Sequence, residues 1–263
     1  MDPLTCAVSD GVATLTIQRP AVSNAIDIKV VRAMHLALDQ IQKRESGARA
    51  IVITGSAEVF CSGVDLNSVD LRTQEATQRS HMIMRGYLDP LILRLSGFRF
   101  PIIAAVNGAA VGAGMSLALA SDIIIAGENA YFLPSFSRLG LVPDAGITFH
   151  LARRIGAGRS LSALMLSEAI SAKTALEWGL VYAMTPPRDV VARAQTVARR
   201  LATGPSAVLW QIRSLHASTF DNSLLQQLRA ERAAQEMTFE SHECVEGVRA
   251  FFEKREPKFV RHR

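Results

Sequence analysis

The segment from Pro101 to Gly127, "PIIAAVNGAAVGAGMSLALASDIIIAG", is the most apolar part of the chain and places the strongest limit on its fold. Its length resembles that of a membrane-spanning helix, which needs about 20 consecutive apolar residues. However, Asn107, several glycines and the pair Ser121–Asp122 interrupt it. We therefore predict a buried strand, a glycine-rich loop, a short apolar helix and a second strand, the order found in parallel α/β sheets.

The rest of the chain continues this alternation and then changes character. The stretch "TCAVSDGVATLTIQRP" alternates about Asp10–Gly11 and predicts a β-hairpin. Helical spacing of apolar residues in "DIKVVRAMHLALDQIQKRE" predicts a helix, "ARAIVITGS" a buried strand, "VFCSGVDL" a loop, and residues 70–98 a helical region. After Pro143 the strands largely stop, apart from "VYAMTP". The sequence thus predicts an α/β core over residues 1–186 and a helical region over residues 187–263.

Charge and cysteine content limit the partners and the compartment. The net charge is +5 over 263 residues and the pI is near 9.4, which hints at an anionic partner. No zinc, RNP or Lys-Ser/Thr phosphate motif accompanies this charge, so we expect no metal and no nucleic acid, and the interrupted apolar segment argues against a membrane partner. Cys6, Cys61 and Cys244 have neither disulfide nor metal-ligand spacing, and "MDPLTCAVSDG" does not resemble a signal peptide. We expect a reducing, cytoplasmic location.

Two strand ends have the pattern of an anion site. In "NGAAVGAGMS" a strand runs into glycines and then a helix, so Ala113 and Gly114 lie near a helix N-terminus with unpaired N–H groups. Such groups attract an anion or a developing oxyanion. In "FCSGVDL" the N–H of Val64 follows Gly63 in the same way. The alternative is that these glycines simply allow close packing of helix and strand.

One acid stands apart in the apolar sequence "GLVPDAGIT". Asp144 follows Pro143 just before a predicted helix, where an aspartate commonly accepts backbone hydrogen bonds as an N-cap. Helix capping is therefore the default interpretation of Asp144, unless other parts of the chain indicate a chemical role.

Four blocks, in order along nearly the whole chain, resemble the crotonase, or enoyl-CoA hydratase/isomerase, superfamily. They are "QRPAVSNAI", "VFCSGVDL", "PIIAAVNGAAVGAGMSLALASDIIIA" and "EGVRAFFEKREPKF". The resemblance implies an α/β fold made of a crotonase-like ββα spiral core with a C-terminal helical trimerisation region. It also implies a homotrimer, or a dimer of trimers.

The resemblance implies an acyl-CoA thioester as the substrate, so that coenzyme A arrives with it and no separate cofactor is needed. The thioester oxygen would lie between the backbone N–H groups of Val64 and Ala113, and losing one such donor typically costs about 2.7–4 kcal/mol. The positions implied to contact coenzyme A are Val22, Ser62, Asp65, Leu66 and Gly112, together with Lys258 and Phe259 reaching across the trimer interface.

The departures from the family pattern bear on the reaction. Hydratases of this superfamily carry two glutamates at the positions of Ser116 and Phe136, and hydration needs such an acid–base pair. Some family isomerases instead have an aspartate at the position of Asp144. One carboxylate is enough to move a proton from one carbon to another. Ser116, Phe136 and Leu141 would line the pocket, and its apolar wall would raise the pKa of Asp144.

The sequence therefore favours an isomerase that converts 3-enoyl-CoA to 2-enoyl-CoA, with Asp144 as the single proton carrier. Two other interpretations stay open. One is a non-catalytic acyl-CoA-binding protein that has kept the oxyanion hole. The other, ranked lower, is a different reaction of the superfamily, either hydration or aryl-CoA dehalogenation. Dehalogenases carry a His where this chain has Leu93 and a Trp where it has Phe136.

Overall fold

The computed structural model describes residues 2–68 and 72–259, and its strands form two sheets. The strands are β1 (Leu4–Ser9), β2 (Val12–Ile17), β3 (Ala50–Gly55), β4 (Val59–Cys61), β5 (Ile102–Val106), β6 (Ala109–Val111), β7 (Ile123–Gly127), β8 (Tyr131–Leu133), β9 (Ile170–Ser171) and β10 (Ala183–Thr185). The larger sheet has the order β1-β2-β3-β5-β7-β10, and the smaller sheet has the order β4-β6-β8-β9.

The helices connect these strands and then form the C-terminal part. They are α1 (Ile28–Gln42), α2 (Gln74–Ile83), α3 (Asp89–Ser96), α4 (Ala113–Leu119), α5 (Ile147–Ile155), α6 (Ala157–Leu166), α7 (Ala172–Glu177), α8 (Val190–Ala202), α9 (Ser206–Ser218), α10 (Leu224–Phe239) and α11 (His242–Glu253). A π-helical turn, Met84–Leu88, joins α2 to α3.

The chain visits the two sheets alternately. After β3 in the larger sheet comes β4 in the smaller one, then helices, then β5 and β6, then α4, then β7 and β8. Neighbouring strands in this run pair in parallel in both sheets. Each turn of the chain is therefore a ββα unit, and its repetition gives the spiral that the resemblance implied. The predicted α/β fold class is confirmed.

Apolar side chains cover both faces of the larger sheet. One face packs on α1, α3 and α4, with Leu15, Ile53 and Leu91 fully buried between them. The other face packs on α8 through a stripe of small residues four positions apart: Val190, Ala194, Ala198 and Ala202. The helix α8 begins after residue 187, so the first part of the predicted C-terminal region lies on the core, and α9 to α11 follow it.

The helices α9 to α11 leave many apolar side chains exposed in the single chain. The buried residues are none in α9, Ala234 in α10 and Ala250 in α11. The exposed large side chains of α10 and α11 are Leu224, Leu225, Leu228, Met237, Phe239, Val245, Val248, Phe251 and Phe252. An apolar surface of this extent is typical of a protein–protein contact.

Most of the predicted longer elements are present, including the hairpin, which turns at Asp10 and Gly11 with both residues in the left-handed region. The prediction of a loop for "VFCSGVDL" is wrong in its first part, because Val59–Cys61 forms β4. The strands β6, β8 and β9 were not predicted either. All four have two or three residues, too few to establish an alternating pattern.

An ion pair joins α9 to the core, and removing it is expected to lower stability. The guanidinium of Arg213 donates to Asp122 at 2.6 Å and to the carbonyl oxygens of Leu95 and Phe98. Arg213→Met leaves the Asp122 carboxylate without its main partner in a region where burial already raises its pKa. We expect a loss of about 2–4 kcal/mol in the free energy of unfolding.

Urea unfolding measures this loss, and Arg188→Met is the control. Arg188 has 88% of its side chain exposed and lies 3.8 Å from Asp189, so its removal is expected to change stability by less than about 0.5 kcal/mol. Equal effects of the two substitutions would contradict the proposed importance of the Arg213 pair.

No helix in the described ranges has the length and apolar character required to cross a membrane. Within the same ranges, no group of three or more His, Cys, Asp or Glu residues is arranged to hold a metal ion. The free cysteines Cys6, Cys61 and Cys244 are exposed, buried and half-buried respectively.

Candidate active site

The N–H group of Val64 points away from Ile26, the residue that pairs with the loop carrying Val64. Ile26 bridges the loop on both sides: its N–H donates to Gly63 at 2.7 Å, and its carbonyl accepts from Asp65 at 2.8 Å. In a parallel bridge of this kind the N–H of the intervening residue points to the opposite side. No acceptor for the Val64 N–H exists among the residues that the structure describes.

The second donor lies at the start of α4. Gly112 precedes the helix with φ 51° and no capping side chain, so the first-turn N–H groups, beginning with Ala113, have no cap. The two donors lie near each other. The Cβ position of Gly63, the residue before Val64, is 3.6 Å from the Ala113 nitrogen. Two N–H groups without a hydrogen-bond partner in the described part of the chain therefore lie near each other, at the two positions predicted as donors.

Asp144 does not cap the helix that follows it. Ala145 and Gly146 both adopt left-handed conformations, with φ 50° and 75°, and α5 begins after Gly146 without a side-chain cap. A non-glycine residue in this region is strained by about 1–2 kcal/mol. This turn separates Asp144 from the helix N-terminus, so the default interpretation of helix capping is wrong.

The carboxylate of Asp144 is half-buried and partly unpaired. Its Oδ1 atom is buried and has no hydrogen-bond partner in the described part of the chain. Burial, and then the negative charge of Asp89, raise the pKa of Asp144 to about 6. A carboxylate with this pKa is ionised at neutral pH but takes up a proton more readily than an ordinary aspartate, as a general base requires.

The three predicted pocket residues lie in different environments. Ser116 is fully buried, and its hydroxyl lies 3.3 Å from the carbonyl oxygen of Asp144, so it holds the Asp144 loop against α4. The ring of Phe136 is buried, with its Cζ atom 4.0 Å from where a Cβ on Gly112 would lie. Leu141, three residues before Asp144, is 45% exposed within one chain, and its place in the pocket stays a prediction.

The nearest histidine in sequence to Asp144 does not act as its partner. His150 packs under Gly146, and its Nε2 lies 3.5 Å from the hydroxyl of Ser96. Burial and the charges of Arg154 and Arg153 lower the pKa of His150 to about 4. His150 is therefore neutral over the range in which Asp144 titrates.

The predicted coenzyme A positions fall into two groups. Val22, Ser62, Asp65 and Leu66 lie on adjoining loops, where the hydroxyl of Ser62 donates to the carbonyl of Val22 at 3.3 Å. The polar groups of Asp65 are used inside the chain: the carboxylate binds Arg19 at 2.9 Å and accepts from the N–H of Asn67. Leu66 is 52% exposed and is thus available for contact.

Lys258 and Phe259 lie apart from this group within one chain. The carbonyl of Phe259 accepts from Arg49, which immediately precedes β3, whereas the loop of Ser62 lies beyond the other end of that strand. The backbone N–H of Lys258 donates to Glu246 at 2.7 Å. The contact of these two residues with coenzyme A in a neighbouring subunit stays a prediction.

Two charged residues near the site were not predicted. Asp89 is the first residue of α3, whose Ile92 lies 3.4 Å from the Cβ position of Gly146, and its charge acts on Asp144. Arg19 binds the loop that carries Val64. For Asp89, the sequence offered one signal, a lone acid before Pro90 in the apolar stretch "GYLDPLILRL".

Comparison with known proteins supports the family and the fold. The family profile described as enoyl-CoA hydratase/isomerase matches residues 7–262. The chain belongs to this family. It is therefore an acyl-CoA enzyme of the crotonase type, as the four sequence blocks implied.

The names of individual relatives state different activities. A "probable enoyl-CoA hydratase" of Rhodobacter capsulatus and a "1,2-epoxyphenylacetyl-CoA isomerase" of Escherichia coli are each 37% identical to the chain, with 96% of both chains covered in each case. A crystal structure of an enoyl-CoA hydratase from Polaromonas is 33% identical, with a TM-score of 0.93 over 98% of this chain and 99% of that one. These names include both hydratase and isomerase.

Proposed function

We propose that the protein is an enoyl-CoA isomerase that moves a double bond from the 3-position to the 2-position. Asp144 removes a proton from C2 of the 3-enoyl thioester, and the electrons pass to the thioester oxygen to give a dienolate. The N–H groups of Val64 and Ala113 hold that oxygen. Asp144 then returns the proton to C4, which leaves the double bond between C2 and C3.

The observation that carries this proposal is the unpaired Oδ1 of Asp144, together with the pKa of about 6. A purely structural aspartate would have its oxygens bonded to helix N–H groups. In a protein that only binds thioesters, a half-buried and unpaired carboxylate would reduce stability without any function. The name of the Escherichia coli relative includes an isomerase activity on a CoA thioester, which agrees with the proposal.

Hydration is the second candidate, and a specific observation favours it. Ser116 and Phe136 replace both hydratase glutamates, but Asp89 supplies a second carboxylate close enough to raise the pKa of Asp144. A pair of carboxylates from Asp89 and Asp144 could activate water and protonate C2, although the two come from positions outside the family's glutamate pattern. Dehalogenation lacks its family partners, since Leu93 and Phe136 replace the His and Trp.

A single assay separates these candidates. The wild-type protein is incubated with a 3-enoyl-CoA in deuterated water, and the products are followed by conjugated-thioester absorbance and mass spectrometry. The isomerase is expected to form 2-enoyl-CoA with exchange at C2 and C4. With a 2-enoyl-CoA supplied as a second substrate, accumulation of a 3-hydroxyacyl-CoA would favour hydration, and binding of both thioesters without exchange or hydration would favour a binding protein.

The pH dependence tests the electrostatic role of Asp89. The base form of Asp144 is lost as the pH falls through about 6, so kcat/KM of the wild type is expected to decrease below that pH. Asp89→Asn removes the smaller of the two causes of the raised pKa. The acidic limb is then expected to move to lower pH by no more than about 1 pH unit, because burial remains.

The measurement for this prediction is a pH–rate profile of both proteins from pH 4.5 to 8. His150 does not contribute to the limb, since its pKa is about 4. An unchanged acidic limb in Asp89→Asn would contradict the assignment. Complete loss of activity at every pH would instead identify Asp89 as a second acid–base group and favour hydration.

An oligomeric state is proposed together with this function. We propose a homotrimer, or a dimer of trimers, in which α9 to α11 bury their exposed apolar side chains and residues Lys258 and Phe259 approach a neighbouring coenzyme A. Light scattering of the purified protein gives the number of subunits.

We also propose a reducing, cytoplasmic location, in agreement with the free state of Cys6, Cys61 and Cys244.

A further inference from the structure

The loop that supplies the Val64 N–H is held by a cluster of three charged side chains. One guanidinium nitrogen of Arg19 lies 2.9 Å from the carboxylate of Asp65 and 3.2 Å from that of Asp27. The other terminal nitrogen donates to the carbonyl of Ala25 at 2.6 Å. The three charged side chains are 9–20% exposed, so this is a largely desolvated cluster in which a charge cannot be left unpaired without cost.

Each partner of Arg19 belongs to a different element of the site. Asp65 directly follows Val64, and Asp27 is the N-cap of α1, where its other oxygen accepts from the N–H groups of Lys29 and Val30. Ala25 directly precedes Ile26, the residue that bridges the Val64 loop. Arg19 therefore joins the loop, the bridging segment and the start of α1.

We propose that Arg19 is a positioning residue for the oxyanion hole. By binding Asp65, Asp27 and the Ala25 carbonyl, it fixes the peptide between Gly63 and Val64 so that the Val64 N–H points at the thioester oxygen. This inference rests on the proposed function, since it assumes that Val64 holds that oxygen. Arg19 itself does not touch the reacting atoms.

The planar guanidinium explains why an arginine occupies this position. It presents several donors in a fixed plane and reaches two carboxylates and a carbonyl at once, whereas a lysine ammonium is a flexible point charge. Arg19→Lys is therefore expected to retain one carboxylate contact and part of the function. Arg19→Met keeps most of the side-chain volume and removes all of these contacts.

Infrared spectroscopy of a bound thioester measures the oxyanion hole without requiring turnover. The probe is a saturated acyl-CoA with a ¹³C-labelled thioester carbonyl, which has no double bond to move. In the wild type we expect binding to lower the carbonyl stretching frequency. In Arg19→Met this shift is expected to fall to less than half, with Arg19→Lys between the two.

Kinetics supply a second readout. If the Val64 N–H is misplaced but not removed, kcat for isomerisation is expected to fall by about 10–100-fold, less than the 10²–10³-fold typical of losing a donor. KM is expected to change by less than about threefold, because a misplaced donor chiefly affects the charge that develops on the thioester oxygen in the transition state. A merely structural role would lower the amount of folded protein and leave kcat per folded site unchanged.

Arg94→Met is the matched control. Arg94 has the same degree of exposure as Arg19, 21% against 20%, and binds Asp39 at 2.6 Å between α3 and α1. Its removal is expected to leave the infrared shift and kcat unchanged. If Arg19→Met does not fold, Asp65→Asn, which keeps the side-chain shape and weakens the same contact, is expected to reduce the shift.

The infrared shifts of the variants separate the role of Arg19 from that of the oxyanion hole. A full wild-type shift in Arg19→Met or Asp65→Asn would overturn the positioning role while leaving the oxyanion hole in place. A wild type that binds the labelled thioester without any shift would overturn both the oxyanion hole and the role of Arg19. A reduced shift in the Arg19 and Asp65 variants, with a normal shift in Arg94→Met, is the expected result.

Discussion

Replacing Asp144 by Asn is expected to reduce the isomerisation of a 3-enoyl-CoA by about 10²–10⁴-fold, the range that a general acid–base group contributes. Asn keeps the shape of the side chain but can neither accept nor return the substrate proton. Exchange of the C2 and C4 protons in deuterated water is expected to fall together with double-bond migration. Thioester binding is expected to persist, because the N–H groups of Val64 and Ala113 are unchanged.

Stability provides an independent check on the same variant. The folded-state pKa of Asp144, about 6, is above the ordinary value of 3.8, so the folded protein binds this proton more tightly than the unfolded chain does. Ionised Asp144 therefore destabilises the fold, by an amount that grows from about pH 4 to pH 6 and is constant above. Asp144→Asn is expected to raise Tm above pH 6 and to leave it unchanged below about pH 4.

The control for these measurements is Asp221→Asn, which changes a side chain that is 74% exposed. It is expected to alter neither the exchange rate nor the pH dependence of Tm. Persistent isomerisation in Asp144→Asn would show that another group moves the proton. A lower Tm above pH 6 would contradict the raised pKa, because the substitution would then have removed a stabilising carboxylate.

The sequence was sufficient to point to two backbone N–H groups that have no hydrogen-bond partner among the described residues. A glycine-rich turn between a strand and a helix leaves N–H groups unpaired for reasons of local geometry alone, which is why Ala113 could be predicted from "GAG". The position of Val64 followed from the same pattern in "CSGVDL". Both predictions depend on residues that are adjacent in the chain, and the Cβ position of Gly63 lies 3.6 Å from the Ala113 nitrogen; the role of the two groups as oxyanion donors stays a prediction.

The groups that the sequence did not reveal act across long separations. Asp89 and Asp144 are 55 positions apart, and Arg19 and Asp65 are 46 apart, so no local pattern connects either pair. The role of Asp65 shows the same limit. The resemblance implied a coenzyme A contact for Asp65, which stays a prediction, but it did not reveal that the side chain binds Arg19. The strands of the smaller sheet were missed because tertiary pairing, and not local propensity, selects such short segments.

Gly114→Ala is expected to damage both stability and activity, because α4 and the β4 loop touch at this residue. A Cβ on Gly114 would lie 2.2 Å from the carbonyl oxygen of Cys61 and 2.8 Å from its Cβ, far closer than van der Waals contact. The obstacle is backbone, which has no alternative rotamer. We expect a loss of about 3 kcal/mol in the free energy of unfolding, at the upper end for overpacking.

The same substitution acts on the chemistry because the only relief is to move α4 away from the loop that carries Val64. The Ala113 N–H then separates from the Val64 N–H, and kcat is expected to fall by about 10²–10³-fold, as for the loss of one oxyanion donor. Urea unfolding and the isomerisation assay, made well below the unfolding midpoint, measure the two effects separately.

Gly158→Ala in α6 is the matched control. Nothing lies within 4 Å of the Cβ position of Gly158, so the methyl group meets open space. This variant is expected to gain about 0.4–1 kcal/mol in stability, since alanine has less freedom to lose on folding, and to keep full activity. If Gly114→Ala were folded and fully active, the close approach of α4 to the Val64 loop would be unnecessary, and the two N–H groups could not be the pair that holds the thioester oxygen.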